Sequence, residues 1–219
     1  QRGEVSLIPP NPENPYGLRQ GMLSCAYEDR AGNLWLGSST HGLYVYASNA
    51  WRFGDFFRTG QQTDVQTFAQ TADGALWVGT KKGVLRYDSG MAKRPEVLFR
   101  AAPDAAYQQR NWTTALHVDT QGRLWAGSWG YGLSEIDVRT RAFTAVTPVN
   151  PPHANHPPDW NSGGSWVSAL ADDGAGGLWV ADWSANLWYY APARRRYERL
   201  MANPTAAQGD INGRLNTTP

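Results

Sequence analysis

The metal-ligating side chains that lie closest together in the sequence are in the stretch His153-Ala154-Asn155-His156-Pro157-Pro158-Asp159-Trp160. Two histidines three positions apart and an aspartate supply nitrogen and oxygen ligands of the kind that bind divalent cations. The prolines favour an extended backbone, and no further strong ligand is fixed nearby by its spacing. We therefore interpret this stretch as a surface loop and predict no metal site and no cofactor.

Catalytic signatures are missing from the rest of the sequence. It contains no Gly-x-Ser-x-Gly nucleophile motif, no phosphate-binding loop and no His-Glu-x-x-His pair. Glu28 and Asp29 are adjacent, so on a strand they point to opposite faces and do not form an acid and base pair. His117 and Cys25 fall in predicted strands, where we interpret them as a packed histidine and an inert buried thiol. We predict no catalytic residue.

Composition excludes several other classes of protein. Of the 219 residues, 41% are hydrophobic and 18% are charged, which is typical of a folded chain. The net charge of +1 gives no broad basic field, so we do not expect nucleic acid as a partner. The single cysteine excludes an intrachain disulfide framework. No apolar run reaches the ~18–20 residues of a membrane span, so membrane attachment is expected only through segments outside this sequence.

A repeated unit organises the chain and must position any functional side chain. Its anchor is a Leu-Trp pair that recurs about every 40–55 residues. Each unit begins with a short strand that we expect to be crowded on both faces, followed by an Asp-x-x-Gly-like turn and the Leu-Trp strand. Two further strands follow, and no apolar stripe has helical spacing. The structural tryptophans of the repeat are Trp35, Trp77, Trp125 and Trp179.

Four short antiparallel strands per repeat are typical of β-propeller blades, in which neighbouring blades bury each other's apolar faces. We predict an all-β protein, a β-propeller of four-stranded antiparallel blades. About four full blades with partial ends form an arc of a larger ring, with missing blades or another chain at the open blade edges. The predicted ranges of this single propeller fragment are 1–20 (outer strand of a preceding blade, from Glu4 to Ile8, and a linker), 21–60, 61–105, 106–150 and 151–203 (blades), and 204–219 (start of a following blade).

The units resemble the two-component regulator propeller repeat. The resemblance is carried by Glu28-Asp29-Arg30-Ala31-Gly32-Asn33-Leu34-Trp35-Leu36-Gly37-Ser38, by Gly42-Leu43-Tyr44 and by the Pro-rich lead-in from Pro9 to Leu18. The fourth unit departs from it at Ala181-Asp182 and Asn186. The resemblance implies the extracytoplasmic, ligand-binding part of a bacterial transmembrane sensor with a kinase, response-regulator or diguanylate cyclase output. It thus implies the periplasmic portion of an inner-membrane protein, with a small polar or saccharide-like ligand.

The loops after the second strand of each unit and before the next first strand emerge on one face of a propeller. Here these are the elaborated loops, and they combine aromatic rings with hydrogen-bonding side chains. Flat rings beside such groups suit a polyhydroxylated ligand, although the same rings also suit a role in capping the blades. The predicted ligand-binding residues are His41, Lys81, Trp129, Tyr131, Asp182 and Trp183.

Two other functions stay open beside a non-enzymatic sensor domain. Streptogramin-lyase-like propellers share the Asp-Gly-x-Leu-Trp hairpin and use His and Glu near the central channel with a divalent metal. Against this alternative, no His or Glu recurs in the inner loops of this sequence. The other alternative is a scaffold whose aromatic face binds a protein.

Overall fold

The structure is a computed structural model that describes residues 7–11, 13, 17–18, 22–47, 52–55, 64–89, 95–98, 111–129, 132–146, 166–183 and 187–199. Within these residues the strands form four antiparallel sheets of four strands each, which we call blades one to four. Blade one consists of β1 (Leu23–Glu28), β2 (Leu34–Ser38), β3 (Gly42–Ala47) and β4 (Arg52–Asp55). Blade two consists of β5 (Val65–Gln70), β6 (Leu76–Thr80), β7 (Gly83–Tyr87) and β8 (Glu96–Leu98). Blade three consists of β9 (Thr113–Val118), β10 (Leu124–Ser128), β11 (Gly132–Ile136) and β12 (Phe143–Ala145). Blade four consists of β13 (Val167–Asp172), β14 (Leu178–Asp182), β15 (Leu187–Ala191) and β16 (Arg196–Arg199).

Each blade is a meander in which every strand pairs with the next one along the chain. The first strands of successive blades pack on one another, β1 on β5, β5 on β9 and β9 on β13. Among the described residues, no comparable contact joins β13 back to β1. The prediction of an all-β fold with propeller-type blades is confirmed. A 3₁₀ turn at Pro192–Arg194 precedes β16.

Three of the repeat tryptophans form the centres of the interfaces between blades. Trp35, Trp77 and Trp125 are at most 1% exposed. Each belongs to a hydrophobic cluster that continues into the first strands of the next blade. Trp125 packs with Val167 of blade four and meets the ring of Tyr190 edge-on, with centroids 5.6 Å apart. These three Leu-Trp hairpins therefore lie between sheets, where burial of large rings stabilises the stack.

A glycine in the second strand of a blade lets the next blade approach closely. A Cβ built on Gly127 would lie 2.8 Å from Cβ of Val167, and one on Gly37 would lie 2.6 Å from Cγ1 of Val65. Such separations are too short for non-bonded carbon atoms, so a side chain at this position would push the neighbouring blade away. Ala181 occupies the corresponding position in blade four.

The outer side of blade one differs from the expectation of a first strand crowded on both faces. Leu23 is 46% exposed and Met22, just before it, is 67% exposed. The physical reason is that no described strand packs on this side of β1. The predicted strand from Glu4 to Ile8 lies mostly outside the described residues, and Leu7 and Ile8 are exposed and belong to no described strand.

Candidate ligand-binding site

One edge of the blades carries the tight Asp-x-x-Gly turns, and their aspartates hold the repeat tryptophans. Asp119 Oδ1 accepts hydrogen bonds from two backbone N–H groups of its own turn, both at 2.9 Å. Asp119 Oδ2 accepts from the indole Nε1 of Trp125 at 2.8 Å, and Asp29 Oδ2 accepts from Trp35 at the same distance. Burial opposes ionisation of these carboxyl groups, but the hydrogen bonds outweigh it and lower the pKa of Asp29 and Asp119. This edge is therefore structural.

Blades two and four keep this arrangement with different residues. In blade two the hydroxyl of Thr71 accepts from Trp77 Nε1 at 3.0 Å and donates to Asp73. Thr71 therefore replaces the aspartate of this turn as the acceptor for the indole. In blade four Asp173 Oδ2 accepts instead from the hydroxyl of Tyr189 at 2.8 Å, and Trp179 is half-buried.

The opposite edge of the blades carries the second-strand ends, and a repeated backbone hydrogen bond organises it. In each blade, the N–H of the residue after the second strand donates to the carbonyl of the residue before the first strand. This bond places the two side chains of each pair next to each other at the same edge. The four pairs, with N···O distances of 3.1, 3.2, 3.0 and 3.0 Å, are Ser39 with Met22, Lys81 with Asp64, Trp129 with Trp112, and Trp183 with Trp166.

Four of these residues form what we call the indole row: Trp112, Trp129, Trp166 and Trp183. Trp129 lies between Trp112 and Trp166, with ring centroids 4.7 and 4.6 Å away and planes inclined by 17° and 6°. Trp183 meets Trp129 edge-on at 5.6 Å and 66°. Each such ring pair contributes about 0.5–1.5 kcal/mol beyond the area it buries. The row therefore crosses from blade three to blade four as one packed unit.

Lys81 and Asp64 continue the row onto blade two. The Lys81 ammonium lies 4.8 Å from the centroid of the Trp112 ring and forms an ion pair with the Asp64 carboxylate. The Lys81 side chain is 44% exposed, whereas that of Asp64 is 15% exposed and also accepts from Gln66 Nε2 at 2.6 Å. The Nε1 atom of Trp112 is buried and has no hydrogen-bond partner within the described part of the chain.

Exposure distinguishes the rings that support the row from the ring that a ligand can reach. Both faces of Trp129 are covered by its neighbours, so a ligand cannot stack on this ring without displacing one of them. Trp183 is 63% exposed and has the most accessible ring among those described in the row. The chemistry available at this edge is therefore stacking on Trp183 and hydrogen bonding to the Lys81–Asp64 pair.

The other predicted binding residues lie in different surroundings. His41 is exposed in the turn after β2, where its Nδ1 lies 2.8 Å from the Thr40 hydroxyl. Asp182 is 8% exposed at the end of β14 and accepts a hydrogen bond from Trp188 Nε1 at 3.0 Å. Tyr131 and the stretch from 153 to 159 lie outside the described residues. The structure thus brings together Lys81, Trp129 and Trp183 among the predicted residues.

Trp112 and Trp166 are not among the predicted ligand-binding residues, although both belong to the elaborated loops of the predicted face. Their positions in the repeat could have identified them. Each directly precedes the first strand of a blade, and in the same blade a tryptophan also directly follows the second strand. Aligning the residue before the first strand with the residue after the second strand would have paired Trp112 with Trp129 and Trp166 with Trp183.

Two reactive side chains of the first strands are engaged in packing. His117 is half-buried in β9, and its Nε2 lies 2.8 Å from Oδ2 of Asp172 in the next blade. The hydrogen bond from His117 is the main reason why the pKa of Asp172 is lowered. Burial raises the pKa of the Cys25 thiol to about 11, opposed by hydrogen bonds with Ser24 and Gly37. Cys25 is therefore protonated at neutral pH, as expected of an inert thiol.

Two properties of the described residues bear on metal binding and membrane insertion. Within them, no group of three or more His, Cys, Asp or Glu side chains is arranged to hold a metal ion. The same residues include no helix with the length and apolar character that a membrane crossing requires.

The comparisons with known proteins agree with the fold and with the repeat. Residues 17–40 match the family described as two component regulator propeller, which confirms the resemblance seen in the first unit. No curated protein matches the chain. Residues 17–40 are therefore similar to a two component regulator propeller repeat, and they lie within a propeller-type fold.

Solved structures with the same fold include two kinds of protein. One is the extracellular domain of a hybrid two component system from B. thetaiotaomicron, with a TM-score of 0.62, 20% identity, and coverage of 84% of this chain and 24% of that one. A second domain with this description, also from B. thetaiotaomicron, has a TM-score of 0.61 and 18% identity, and the match covers 86% of this chain and 22% of that one. The other kind is virginiamycin B lyase from Staphylococcus aureus, with a TM-score of 0.63 and 13% identity. This match covers 87% of this chain and 56% of that one. The chain thus spans about a quarter of the length of the two extracellular domains.

Proposed function

We propose that this chain is a ligand-sensing propeller domain in the extracytoplasmic part of a bacterial signalling receptor. Its ligand is small and polar or saccharide-like, and it binds at the indole row. The observation that carries the proposal is the exposed ring of Trp183, held on a stack of three indoles whose far end adjoins the Lys81–Asp64 ion pair. Its role is binding, without catalysis.

The chemistry of a sugar fits this arrangement. The C–H face of a pyranose ring stacks on an indole, which is a large apolar surface with a fixed orientation. Its hydroxyl groups both donate and accept hydrogen bonds, and the neighbouring ammonium of Lys81 and carboxylate of Asp64 offer one partner of each kind. Charge-assisted hydrogen bonds of this type are stronger than neutral ones.

The sensory role is supported by two features. The matching repeat is described as two component regulator propeller, and two proteins with the same fold are extracellular domains of hybrid two component systems. In addition, Asp64 and Lys81 belong to blade two, Trp129 to blade three and Trp183 to blade four. A ligand that prefers one relative position of these blades shifts the population towards it, which is the requirement for a signal.

Two alternative functions predict different experimental results. Metal-dependent opening of a cyclic ester would indicate a lyase, which shares the fold at 13% identity. Saturable binding to proteins alone would indicate a scaffold. The fold by itself does not separate these functions, because one propeller architecture hosts many of them.

The test is a titration of the chain with a panel of saccharides, followed by tryptophan fluorescence and calorimetry. We expect saturable binding and at least a tenfold loss of affinity in Trp183→Ala. The matched control is Val97→Ala, which removes an exposed apolar side chain (49% exposed) from the outermost strand of blade two. Equal affinity in Trp183→Ala and the parent chain, or no saccharide binding at all, contradicts the proposal.

A further inference from the structure

We propose that one structural water molecule is bound in a cavity between blades two and three. The cavity lies within the interface of the two blades, so this site is separate from the indole row and does not depend on the ligand proposed there. The proposal follows from the size of the cavity, from its cause in the repeat and from the polar side chains that line it.

The cavity is small, and both blades contribute to its lining. Blade two contributes Gly83 and Val84, and blade three contributes Ala126 and Ser134 among others. Its volume of about 10 Å³ is about the space that a single water molecule needs. By size, therefore, the cavity fits one water molecule and no larger ligand.

The repeat shows why the cavity forms at this interface. The third residue of the second strand pairs with a residue of the third strand, and in blades two to four this pair lies on the side that faces the preceding blade. Blade three has two small side chains here, Ala126 and Ser134. Both members of the pair are larger in the other three blades, where they are Leu36–Tyr44, Val78–Leu85 and Val180–Trp188.

Contacts between the inner strands prevent the two blades from closing over this space. The backbone N–H of Leu116 in β9 donates to the hydroxyl of Thr67 in β5 at 3.2 Å. In addition, a Cβ built on Gly79 would lie 2.9 Å from Cγ2 of Thr113, so the blades have little room to approach further. Small side chains in such a close-packed interface leave a cavity, because the surrounding structure relaxes only partially.

The polar lining favours water over a dry cavity. Dry cavities are lined by apolar side chains, whereas a buried water makes about two to four hydrogen bonds to polar groups. Hydroxyl and amide side chains both donate and accept, so they can bind water in addition to their contacts within the protein. The polar side chains that line this cavity are at most 5% exposed, and they are Asn111, Thr113, Ser128 and Ser134. They give one water molecule enough donors and acceptors on the blade three side.

The experiment follows magnetisation transfer from water to methyl protons in the isotope-labelled 219-residue chain. Methyl groups of Ala126 and Val84 line the cavity, whereas Ala69 is buried in the same hydrophobic cluster and does not line it. We expect nuclear Overhauser transfer to Ala126 and Val84 with the sign of a long-lived bound water, at least about threefold stronger than to Ala69. Absence of this transfer, or equal transfer to all three residues, overturns the proposal.

Ala126→Val tests the site by filling it. The added methyl groups take the space of the water, so we expect the transfer to Val84 to disappear. The midpoint of chemical denaturation should fall, because the buried polar groups lose the hydrogen bonds of the water. The matched control is Ala145→Val, which adds the same groups at an exposed position opposite Ser134 and outside the cavity, and should preserve both the transfer and the midpoint. A higher midpoint in Ala126→Val, which is the result of filling a dry cavity, overturns the proposal, as does transfer to Val84 that persists in this variant.

Discussion

The ring of Trp129 lies parallel to that of Trp166, with centroids 4.6 Å apart and planes inclined by 6°, although the two side chains belong to neighbouring blades. Trp112 covers the other face of Trp129 at 4.7 Å. The interface between blades three and four therefore continues, at the edge that carries the second-strand ends, into the candidate binding surface. A ligand stacked on Trp183 would contact a ring that itself packs edge-on against Trp129, in the middle of this stack.

This relationship separates the effects of two tryptophan substitutions on stability. Trp129→Ala removes the middle of the stack and should lower the free energy of unfolding by about 1–3 kcal/mol. Trp183→Ala removes a ring that is 63% exposed and should lower it by less than about 1 kcal/mol. Denaturant titrations followed by circular dichroism measure both values. A larger loss in Trp183→Ala than in Trp129→Ala would contradict the assigned roles.

The close approach of blades three and four makes Gly127→Ala destabilising. Its Cβ would lie 2.8 Å from Cβ of Val167, so we expect a loss of about 1–3 kcal/mol in the free energy of unfolding. Val167→Ala should recover part of this loss, and the double-mutant cycle should show coupling above about 0.5 kcal/mol. Ala181→Gly is the control at the corresponding position of blade four. Additive effects of the Gly127 and Val167 substitutions would argue against the observed contact.

The aspartates of the tight turns should contribute to stability through the indoles. Asp119→Ala leaves the buried Nε1 of Trp125 without its acceptor, and we expect a loss of about 1–3 kcal/mol. Asp137→Ala is a suitable control, since this aspartate also accepts two backbone N–H groups in a turn but is exposed and holds no indole. Chemical denaturation of the two variants checks the difference. Equal losses would show that the indole bond adds nothing to the turn.

The same carboxyl groups give stability a defined dependence on pH. The folded-state pKa of Asp29 and Asp119 is lowered, so their contribution is complete above the unfolded-state value of about 3.9. The contribution is lost as the pH falls through the folded-state pKa. We expect the free energy of unfolding to decrease between about pH 5 and pH 2, and less steeply in Asp29→Asn/Asp119→Asn. Parallel pH profiles for the parent and the double variant would contradict this assignment.

The repeat made the blades predictable, because a Leu-Trp strand after a glycine turn is a local pattern that recurs four times. The role of Asp119 was less visible, since the sequence shows the turn but not that the carboxylate also reaches the indole of Trp125. Thr71 shows why: a hydroxyl performs the same task, so the residue type alone does not identify the contact.

The candidate site was predictable as a face and only in part as a set of residues. Trp129 and Trp183 were selected because they follow second strands, whereas Trp112 and Trp166 are brought to them by a backbone hydrogen bond between distant strand ends. Asp182 shows the opposite case. It was selected because it lies in the turn after a second strand, and the sequence did not show that the carboxylate is buried and accepts a hydrogen bond from Trp188 Nε1.

The most direct test of the binding surface is a nuclear magnetic resonance titration that follows the indole Nε1–H signals of the tryptophans. On addition of a saccharide that binds, we expect the signals of the indole row to shift, most strongly that of Trp183. The buried indoles of Trp35, Trp77 and Trp125, which hold turn residues at the opposite edge, are internal controls and should stay in place. Saturable binding that leaves the indole-row signals unchanged and moves other signals instead would contradict the account.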